Sequence, residues 1–117
     1  MAIQNWSNGT LLVDLPGESQ TQEELEEVVR LVQERRASDV VMDFTAVTIL
    51  NSTCLATLVQ LRKQLLSQGR RLVLCGLGRL THGILSVTGL TEIFDIQADR
   101  FDALAAVLEH AVKAPHE

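Results

Sequence analysis

The stretch VVMDFTAVTILNSTCL, residues 40–55, decides the fold of this chain. An apolar run that ends at Leu50 gives way to three small polar residues, Asn51, Ser52 and Thr53, and then to a helical pattern. This predicts a strand that leads through a tight turn into a helix with hydroxyls at its start. Backbone N–H groups in a first helical turn lack intrahelical acceptors, and the macrodipole is positive there. A Ser at such a position can cap the helix or carry a phosphate.

The composition indicates one globular domain. The chain has 117 residues, of which 46% are hydrophobic and 21% are charged, and splitting it would leave two pieces too small for a good core. We expect one domain over residues 1–113 and a flexible tail over 114–117. No apolar run approaches the ~20 residues that a membrane-spanning helix requires, and the N-terminus lacks the features of a signal peptide. The expected location is cytoplasmic, with no membrane insertion.

Net charge and aromatic content disfavour nucleic acid as a partner. Lys and Arg number 10 against 15 Asp and Glu, for a net charge of −5, and the chain has three Phe, one Trp and no Tyr. The basic footprint and stacking aromatics of a nucleic-acid-binding protein are both lacking. We interpret a local basic cluster as solvated helix ends and edges, with a partner-binding patch as the alternative; it comprises Arg62, Lys63, Arg70, Arg71 and Arg79.

The cysteines and histidines do not predict a metal site. Cys54 and Cys75 form no C-x-x-C pair, and both lie in apolar segments, which is typical of buried free thiols. The three histidines show no ligand spacing; they are His82, His110 and His116.

Before the deciding stretch, the sequence predicts a hairpin and a helix. Strands over residues 2–7 and 10–15 flank Asn8-Gly9, which favours a two-residue hairpin turn because both positions tolerate positive φ. A helix over 21–37 follows, and its apolar residues recur at helical spacing. They are Leu25, Val28, Val29 and Val32.

Beyond it, helices and strands continue to alternate. A helix begins at Ser52 and ends at Gly69, and a buried strand covers 71–75. A short helix then ends at Gly89, and a last strand covers 93–96. The apolar residues that mark these helices are Leu55, Leu58, Val59, Leu65 and Leu66 in the first, Leu77, Leu80, Ile84 and Val87 in the short one, and Phe101, Leu104, Ala105, Leu108 and Val112 in a final helix capped by Asp99. We expect these faces to be buried.

The order β-β-α-β-α-β-α-β-α predicts an α/β fold. Strands that alternate with helices favour a mostly parallel sheet with right-handed crossovers. We expect a single domain with four to five strands, an N-terminal antiparallel hairpin at the edge and about four helices. The nearly apolar segment 40–44 is typical of a central strand covered on both faces.

No residue pattern predicts catalysis. A nucleophile at Ser52 would need a base within hydrogen-bond reach, and nothing in the sequence places His82 there. The chain has no G-x-S-x-G elbow, no G-x-G-x-x-G and no Walker lysine motif. We expect a protein that is not an enzyme and that has no catalytic residue, metal or cofactor. From the residues alone, Asn51 and Ser52 could also be a purely structural helix cap.

Several segments resemble the STAS domain of the anti-sigma factor antagonist family. Residues 40–55 are similar to the family signature VVLDLSGVTFIDSSGL, and Pro16-Gly17-Glu18 is similar to the SGELD turn after the hairpin. The likeness continues in order, with few gaps, through Leu61-Arg62-Lys63, Gln68-Gly69, Leu72-Val73-Leu74, Thr88-Gly89-Leu90 and Ile93-Phe94. It covers nearly the whole chain and implies the same STAS-like fold as the pattern of elements.

The resemblance implies a phosphorylation-controlled, partner-switching function. In that family, the unphosphorylated antagonist sequesters a serine-kinase anti-sigma factor and thereby releases a sigma factor for transcription. The kinase phosphorylates the first Ser of the DSSG turn, and a PP2C-type phosphatase restores it. That Ser corresponds to Ser52. The expected partner-binding residues are Gln20, Asn51, Ser52, Thr53, Cys54 and Thr57, with Gln60 and Lys63 on the exposed helical face. The oligomeric state stays open, a dimer included.

Three positions depart from the family pattern. Asn51 and Gln20 are neutral amides where the family has Asp, and Cys54 replaces the Gly after the second hydroxyl. These departures favour an alternative, a non-phosphorylated STAS scaffold module of a signalling or lipid-transport complex. A nucleotide-binding module is a third hypothesis, although no phosphate loop is visible.

Overall fold

The computed structural model describes residues 3–7, 9–17, 20–35 and 38–113, and it does not describe the side chains of 7, 35 and 110–113. The elements are β1 (Ile3–Ser7), β2 (Thr10–Asp14), α1 (Thr21–Arg35), β3 (Asp39–Asp43), α2 (Ser52–Ser67), β4 (Leu72–Cys75), α3 (Arg79–Val87), β5 (Asp95–Gln97) and α4 (Arg100–Lys113). This confirms the predicted order of strands and helices. The predicted tail over 114–117 lies outside the described residues.

Within the described residues, five strands form one sheet in the order β1-β2-β3-β4-β5. β1 pairs antiparallel with β2, and the remaining neighbours are parallel. The predicted mostly parallel sheet with a hairpin at its edge is therefore confirmed. Gly9, in the turn between β1 and β2, has φ 87, while Asn8 lies outside the described residues.

β3 is the centre of the sheet, and it is buried on both faces. Val40 and Met42 belong to one apolar core and Val41 to a second, because successive side chains of a strand point to opposite faces. Helices α1 and α2 pack against the first core, and α4 packs against the second core. A central strand covered on both faces was predicted and is confirmed.

The inward face of α1 agrees with its sequence pattern. Leu25, Val28 and Val32 are buried, and Val29 packs against the same core while half-buried. The helix is described through Arg35, so its predicted end near residue 37 lies outside the described residues.

The inward face of α2 agrees in part. Leu58 and Leu65 are buried as predicted, and Leu61 joins them. The burial predicted for Leu66 is wrong, because its side chain lies about 100° around the helix axis from that of Leu65 and is exposed. Gly69 adopts φ 73 just after the helix and donates to the Leu66 carbonyl at 3.0 Å, as a glycine that ends a helix should.

The last strand begins later than predicted. Residues Leu90–Glu92 form a 3-10 turn, and the Phe94 N–H donates to the Leu90 carbonyl at 3.1 Å. Since that hydrogen bond belongs to a turn rather than to a sheet ladder, Ile93 and Phe94 are not in the strand. β5 starts at Asp95, and the buried Phe94 ring contributes to the first core from the turn.

The orientation predicted for α3 is wrong. Thr81 and Leu85 are its buried residues, whereas Leu80 and Val87 are 66% and 85% exposed. This helix of nine residues carries apolar side chains on more than one arc, so their spacing does not identify a single inward face.

The orientation predicted for α4 is wrong in the same way. Ala103, Leu104 and Val107 pack on the sheet. Among the described residues that were predicted to point inward, only Leu104 does so. Phe101, Ala105 and Leu108 are exposed. The side chain of Val112 lies outside the description. The predicted Asp99 cap is confirmed, because its Oδ1 accepts from the Asp102 N–H at 2.9 Å.

Candidate functional site

The turn between β3 and α2 ends in a capped helix. Asn51 has extended backbone angles, φ −90 and ψ 174, and its Oδ1 accepts a hydrogen bond from the Cys54 N–H at 2.8 Å. The Asn51 carbonyl accepts from the Leu55 N–H at 3.1 Å and so begins the helical ladder. Asn51 is therefore the N-cap of α2, the position where an Asn side chain satisfies an otherwise unpaired N–H.

Ser52 is the first residue of α2, and its side chain is exposed. No described residue forms a hydrogen bond with its hydroxyl, and the first turn of the helix contains no acidic residue. Thr53 is exposed beside it. The turn thus presents two hydroxyl side chains to solvent at the positive end of a helix of 16 residues.

Two of the residues expected to contact a partner are buried instead. Thr57 is only 9% exposed, so the prediction that it lies on the outer face of α2 is wrong. Its hydroxyl donates to the Thr53 carbonyl at 3.0 Å and accepts from Gln22 Nε2 of α1, also at 3.0 Å. Cys54 is buried in the first core. Both residues support the exposed turn from below.

The remaining residues of the predicted partner surface are exposed. Gln60 and Lys63 lie on the outer face of α2, as predicted. Gln20 is exposed just before α1, and its N–H donates to the Gly17 carbonyl at 3.4 Å. A Cβ atom at Gly17 would lie 2.5 Å from the Ala46 carbonyl oxygen, so the turn before α1 lies directly against the turn that follows β3.

Two exposed apolar side chains, Ile49 before Ser52 and Leu80 at the start of α3, were not identified as a surface from the sequence. Ile49, three residues before Ser52, is 67% exposed, whereas Val47 and Leu50 are buried. A groove of about 250 Å³ separates this turn from the start of α3, and its lining residues are Thr45, Val47, Thr48, Gly78, Arg79, Leu80 and Thr81. Ile49 belongs to an apolar run and Leu80 to an apolar helical pattern, and neither pattern indicates an exposed surface.

A charged network anchors the same edge of the sheet. Asp43 ends β3, and its Oδ1 accepts from the Thr45 N–H at 2.9 Å and from the Thr45 hydroxyl at 2.5 Å. Its Oδ2 accepts from Arg100 Nε at 3.0 Å and Nη2 at 2.8 Å, and Arg100 also contacts Asp14 at the end of β2. The network therefore ties the turn that leads to Ser52 to the start of α4.

The network also determines the charge state of Asp43. Burial alone would raise the pKa of this carboxyl group, but the hydrogen bonds from Thr45 and the Arg100 guanidinium outweigh it and hold the pKa below its ordinary value. The Asp43 carboxylate also raises the pKa of the Cys75 thiol, which burial raises most, to about 12. Cys75 is thus a protonated thiol, and the prediction of a buried free thiol is confirmed.

Most of the basic cluster is occupied within the molecule. Arg62 Nε donates to the Ile93 carbonyl at 3.0 Å, and Arg70 Nη2 donates to the Gly9 carbonyl at 3.1 Å. Arg71 forms an ion pair with Asp95. Three of the five side chains therefore have partners within the molecule. Lys63 and Arg79 are exposed and form no ion pair with any described residue.

Over the described part of the chain, no group of His, Cys, Asp and Glu side chains could hold a metal ion. No helix among the described residues is both long enough and apolar enough to cross a membrane.

The family model of the STAS domain matches residues 8–103. The match begins at the hairpin turn, includes the Ser52 turn and ends in the first turn of α4. The chain therefore belongs to the STAS domain family. No curated protein sequence matches it.

Solved structures with the same fold come from several kinds of protein. A STAS domain protein from Planctomyces limnophilus is 18% identical, with a TM-score of 0.78 over 91% of this chain and 97% of that one. A sulfate transporter family protein from Wolinella succinogenes is 16% identical, with a TM-score of 0.79 over 94% and 93%. The Bacillus cell fate determinant SpoIIAA in its phosphorylated form is 14% identical, with a TM-score of 0.68 over 90% and 96%.

These similarities establish the fold. SpoIIAA is an anti-sigma factor antagonist that has been solved in both unphosphorylated and phosphorylated forms, whereas the Wolinella protein belongs to a transporter family. The STAS fold therefore serves both groups, and the residues of the Ser52 turn must carry the functional argument.

Proposed function

We propose that this protein is an anti-sigma factor antagonist that sequesters a serine-kinase anti-sigma factor, and that phosphorylation of Ser52 abolishes the binding. The observation that carries the proposal is the exposed Ser52 hydroxyl, which has no hydrogen-bond partner among the described residues and lies at the N-terminus of a capped helix. A kinase can reach such a hydroxyl without unfolding the turn. No catalysis by this chain is required, and the switch acts in the cytoplasm.

The position of Ser52 suits a reversible modification. A phosphate adds about −1.5 to −2 charges. The helix N-terminus favours negative charge by about 0.3–1 kcal/mol, and no acidic side chain in the first turn opposes it. The free, phosphorylated protein therefore keeps its fold.

The bound state would not tolerate the phosphate equally well. Ile49 offers exposed apolar area three residues before Ser52, and the exposed Leu80 lines the groove between this turn and α3. A partner that covers this area excludes water from it. Burying a doubly charged phosphate in such an interface without a paired cation costs several kcal/mol, so phosphorylation lowers affinity through the bound state alone.

Phosphorylation and binding are tested with a purified serine-kinase anti-sigma factor from the same organism and Mg-ATP. We expect intact-mass spectrometry to show one added phosphate, which peptide mapping assigns to Ser52. Thr53→Ala is the matched control, since Thr53 is the neighbouring exposed hydroxyl, and it should still accept the phosphate. Addition of a PP2C-type phosphatase should remove it. No modification, or modification at Thr53, would refute the proposed switch.

Affinity for the same partner supplies the second measurement. We expect Ser52→Glu to weaken binding at least tenfold, about 1.4 kcal/mol, with a urea midpoint that does not fall, because the site is exposed and the helix N-terminus favours negative charge. Ile49→Ser should also weaken binding, because it removes apolar contact area and leaves the hydroxyl intact. If Ser52→Glu binds as tightly as the wild type, Ser52 does not control this interaction.

The second candidate function is a non-phosphorylated STAS module of a signalling or transport complex. The neutral side chains of Asn51 and Gln20, in place of the family's carboxylates, favour it. Under this alternative, an ATPase subunit of a transporter would bind the same apolar surface. Recovery of that subunit in a pull-down would be unchanged by Ser52→Ala and reduced by Ile49→Ser, which separates it from the first proposal.

A further inference from the structure

A glutamine side chain lies at each end of the contact between α1 and α2. Near the start of α1, Gln22 Nε2 donates to the Thr57 hydroxyl of α2 at 3.0 Å. Just after α2, Gln68 Nε2 donates to the Val32 carbonyl of α1 at 3.5 Å. Between these two contacts the helices pack through apolar side chains of the first core. The two glutamines are therefore a matched pair of polar contacts at opposite ends of one helix pair.

Of the two contacts, the one made by Gln22 reaches the turn that carries Ser52. The Thr57 hydroxyl has a single proton, and it donates that proton to the Thr53 carbonyl at 3.0 Å. It must therefore act as the acceptor toward Gln22. Thr53 follows Ser52 in the first turn of α2. The hydrogen bonds from Gln22 to Thr57 and from Thr57 to Thr53, here named the Gln22 relay, thus join α1 to the first turn of α2.

The relay fixes the geometry of that first turn. A Thr side chain in a helix divides between two χ1 rotamers because its hydroxyl can bond a carbonyl one turn back, and such a bond often bends the helix. Thr57 keeps both of its hydrogen bonds only in the rotamer that points toward Gln22 and Thr53. Glu26 Oε2 accepts from the same Gln22 Nε2 at 3.0 Å and holds the amide from within α1. The direction of the first turn of α2 therefore depends on a residue of another helix.

The Gln22 side chain carries a cost that an apolar side chain at this position would not. Its Oε1 is out of contact with solvent and accepts no hydrogen bond from any described residue. A buried acceptor left without a donor costs free energy, and a Met side chain of about the same length would fill the same space without that cost. The hydrogen bonds that Nε2 donates are thus offset in stability, and their remaining consequence is the geometry of the relay.

We infer that Gln22 is a positioning residue of the Ser52 switch: through Thr57 it holds the first turn of α2 in the orientation that a serine-kinase partner binds and phosphorylates. The inference rests on the function proposed above for Ser52. A partner binds less tightly when only a fraction of the molecules present the competent orientation. Loss of the relay should therefore weaken binding, although the fold itself is kept.

Amide hydrogen exchange followed by NMR tests the relay without any partner. The Cys54 and Leu55 N–H groups both donate to Asn51 and report opening of the first turn. Gln22→Met should raise their exchange rates about threefold or more, because the turn opens more often. Gln68→Met, which removes the matching contact at the other end, should leave both rates unchanged. Equal rates in Gln22→Met and the wild type would overturn the inference.

Stability in urea separates positioning from a merely structural role. Gln68 Oε1 is buried without a hydrogen-bond partner among the described residues, as Gln22 Oε1 is. The urea midpoint of Gln22→Met should therefore fall no more than that of Gln68→Met. A distinctly larger fall in Gln22→Met would make Gln22 a stabilising residue of the core and would contradict the inference.

Kinetics with the purified serine-kinase partner and Mg-ATP supply the functional measurement. Gln22→Met should raise the KM for phosphorylation of Ser52 about threefold or more with kcat retained, because fewer molecules present the competent turn. Thr57→Val breaks the same relay, so the double variant should be no worse than the more affected single variant. Thr57→Ser keeps the hydroxyl and should restore the wild-type KM, and Gln68→Met should not change it. Additive effects of Gln22→Met and Thr57→Val would refute the relay.

The same kinetics distinguish failure of this inference from failure of the proposed function. If the kinase modifies Ser52 with the same KM in the wild type and in Gln22→Met, the switch stands and the role of Gln22 is wrong. If the kinase does not modify Ser52 even in the wild type, the proposed switch is wrong, and the role of Gln22 falls with it.

Discussion

Asn51 offers the sharpest test of how the Ser52 turn is built. Its Oδ1 accepts the Cys54 N–H at 2.8 Å, and the Asn51 side chain is otherwise exposed. Asn51→Ala removes that acceptor, creates no cavity and leaves Ser52 in place. Because Cys54 is buried, water cannot readily replace the lost acceptor, so the Cys54 N–H is left without a partner.

The expected loss of stability follows from that geometry. An N-cap substitution to Ala costs about 0.5–2 kcal/mol, and an unpaired buried donor places this site in the upper half, about 1–2 kcal/mol. For a chain of 117 residues, an unfolding entropy of about 2.1 cal/mol/K per residue converts this to a fall in Tm of about 4–8 °C.

Urea denaturation followed by circular dichroism measures the change, with Asn51→Asp as the matched control. Asp retains the acceptor and adds a negative charge at the helix N-terminus. At pH 7 the free energy of unfolding of Asn51→Asp should therefore be at least that of the wild type, and higher by up to about 0.3–1 kcal/mol. Because Asp also restores the family carboxylate beside Ser52, phosphorylation in the kinase assay should be at least as fast in Asn51→Asp.

If Asn51→Ala lowers the free energy of unfolding by less than about 0.3 kcal/mol, Asn51 is not an energetically significant cap. A loss that small is no more than an exposed pair on a helix surface provides. A change in the slope of the urea transition would instead mean that the unfolded or native ensemble had changed. In that case the comparison would not report on the cap.

Three further substitutions test the packing around the turn. The pKa of Asp43 is lower in the folded protein than in the unfolded protein, so the ionised carboxylate stabilises the fold. This stabilisation is complete above the unfolded pKa near 3.9 and is lost as the pH falls through the lower folded pKa. The stability deficit of Asp43→Asn in urea should therefore be full at pH 6 and should shrink below about pH 4. Gly76→Ala should destabilise by about 2–4 kcal/mol, because residue 76 has φ +68 and its new Cβ would lie 2.5 Å from Asp43 Oδ1. In Gly83→Ala, where the new Cβ meets nothing within 4 Å, the urea midpoint should not fall. Thr57→Val should cost about 1–3 kcal/mol by loss of its two hydrogen bonds, and a Thr57→Ser variant that unfolds as easily would contradict that reason.

The local features of the Ser52 turn were accessible from sequence. The run that ends at Leu50 and the polar residues after it predict a strand, a turn and a capped helix, and Asn51 takes the cap position. Caps and turns depend on contacts between residues three or four apart, so the residues themselves carry the information. The exposure of Ser52 follows from the same local geometry.

The surface around Ser52 was not accessible in the same way. Thr57 was expected to face outward, but the neighbouring helix α1 supplies Gln22 as its hydrogen-bond partner and covers it. Ile49 lies in an apolar run but outside the strand, and its neighbours Val47 and Leu50 occupy the available core positions. The burial of Thr57 and the exposure of Ile49 both depend on which other element of the fold packs against each residue.

By itself, the sequence determined the order of strands and helices, the parallel sheet with its hairpin edge, and the capped turn that presents Ser52. Only the tertiary structure decided which arcs of the last two helices face inward. Leu80 and Phe101 look like core residues in a helical pattern, yet Leu85 and Val107 take the inward positions. The physical reason is that these helices carry more apolar residues than one face can bury, and only the shape of the sheet beneath them selects which residues pack and which stay exposed.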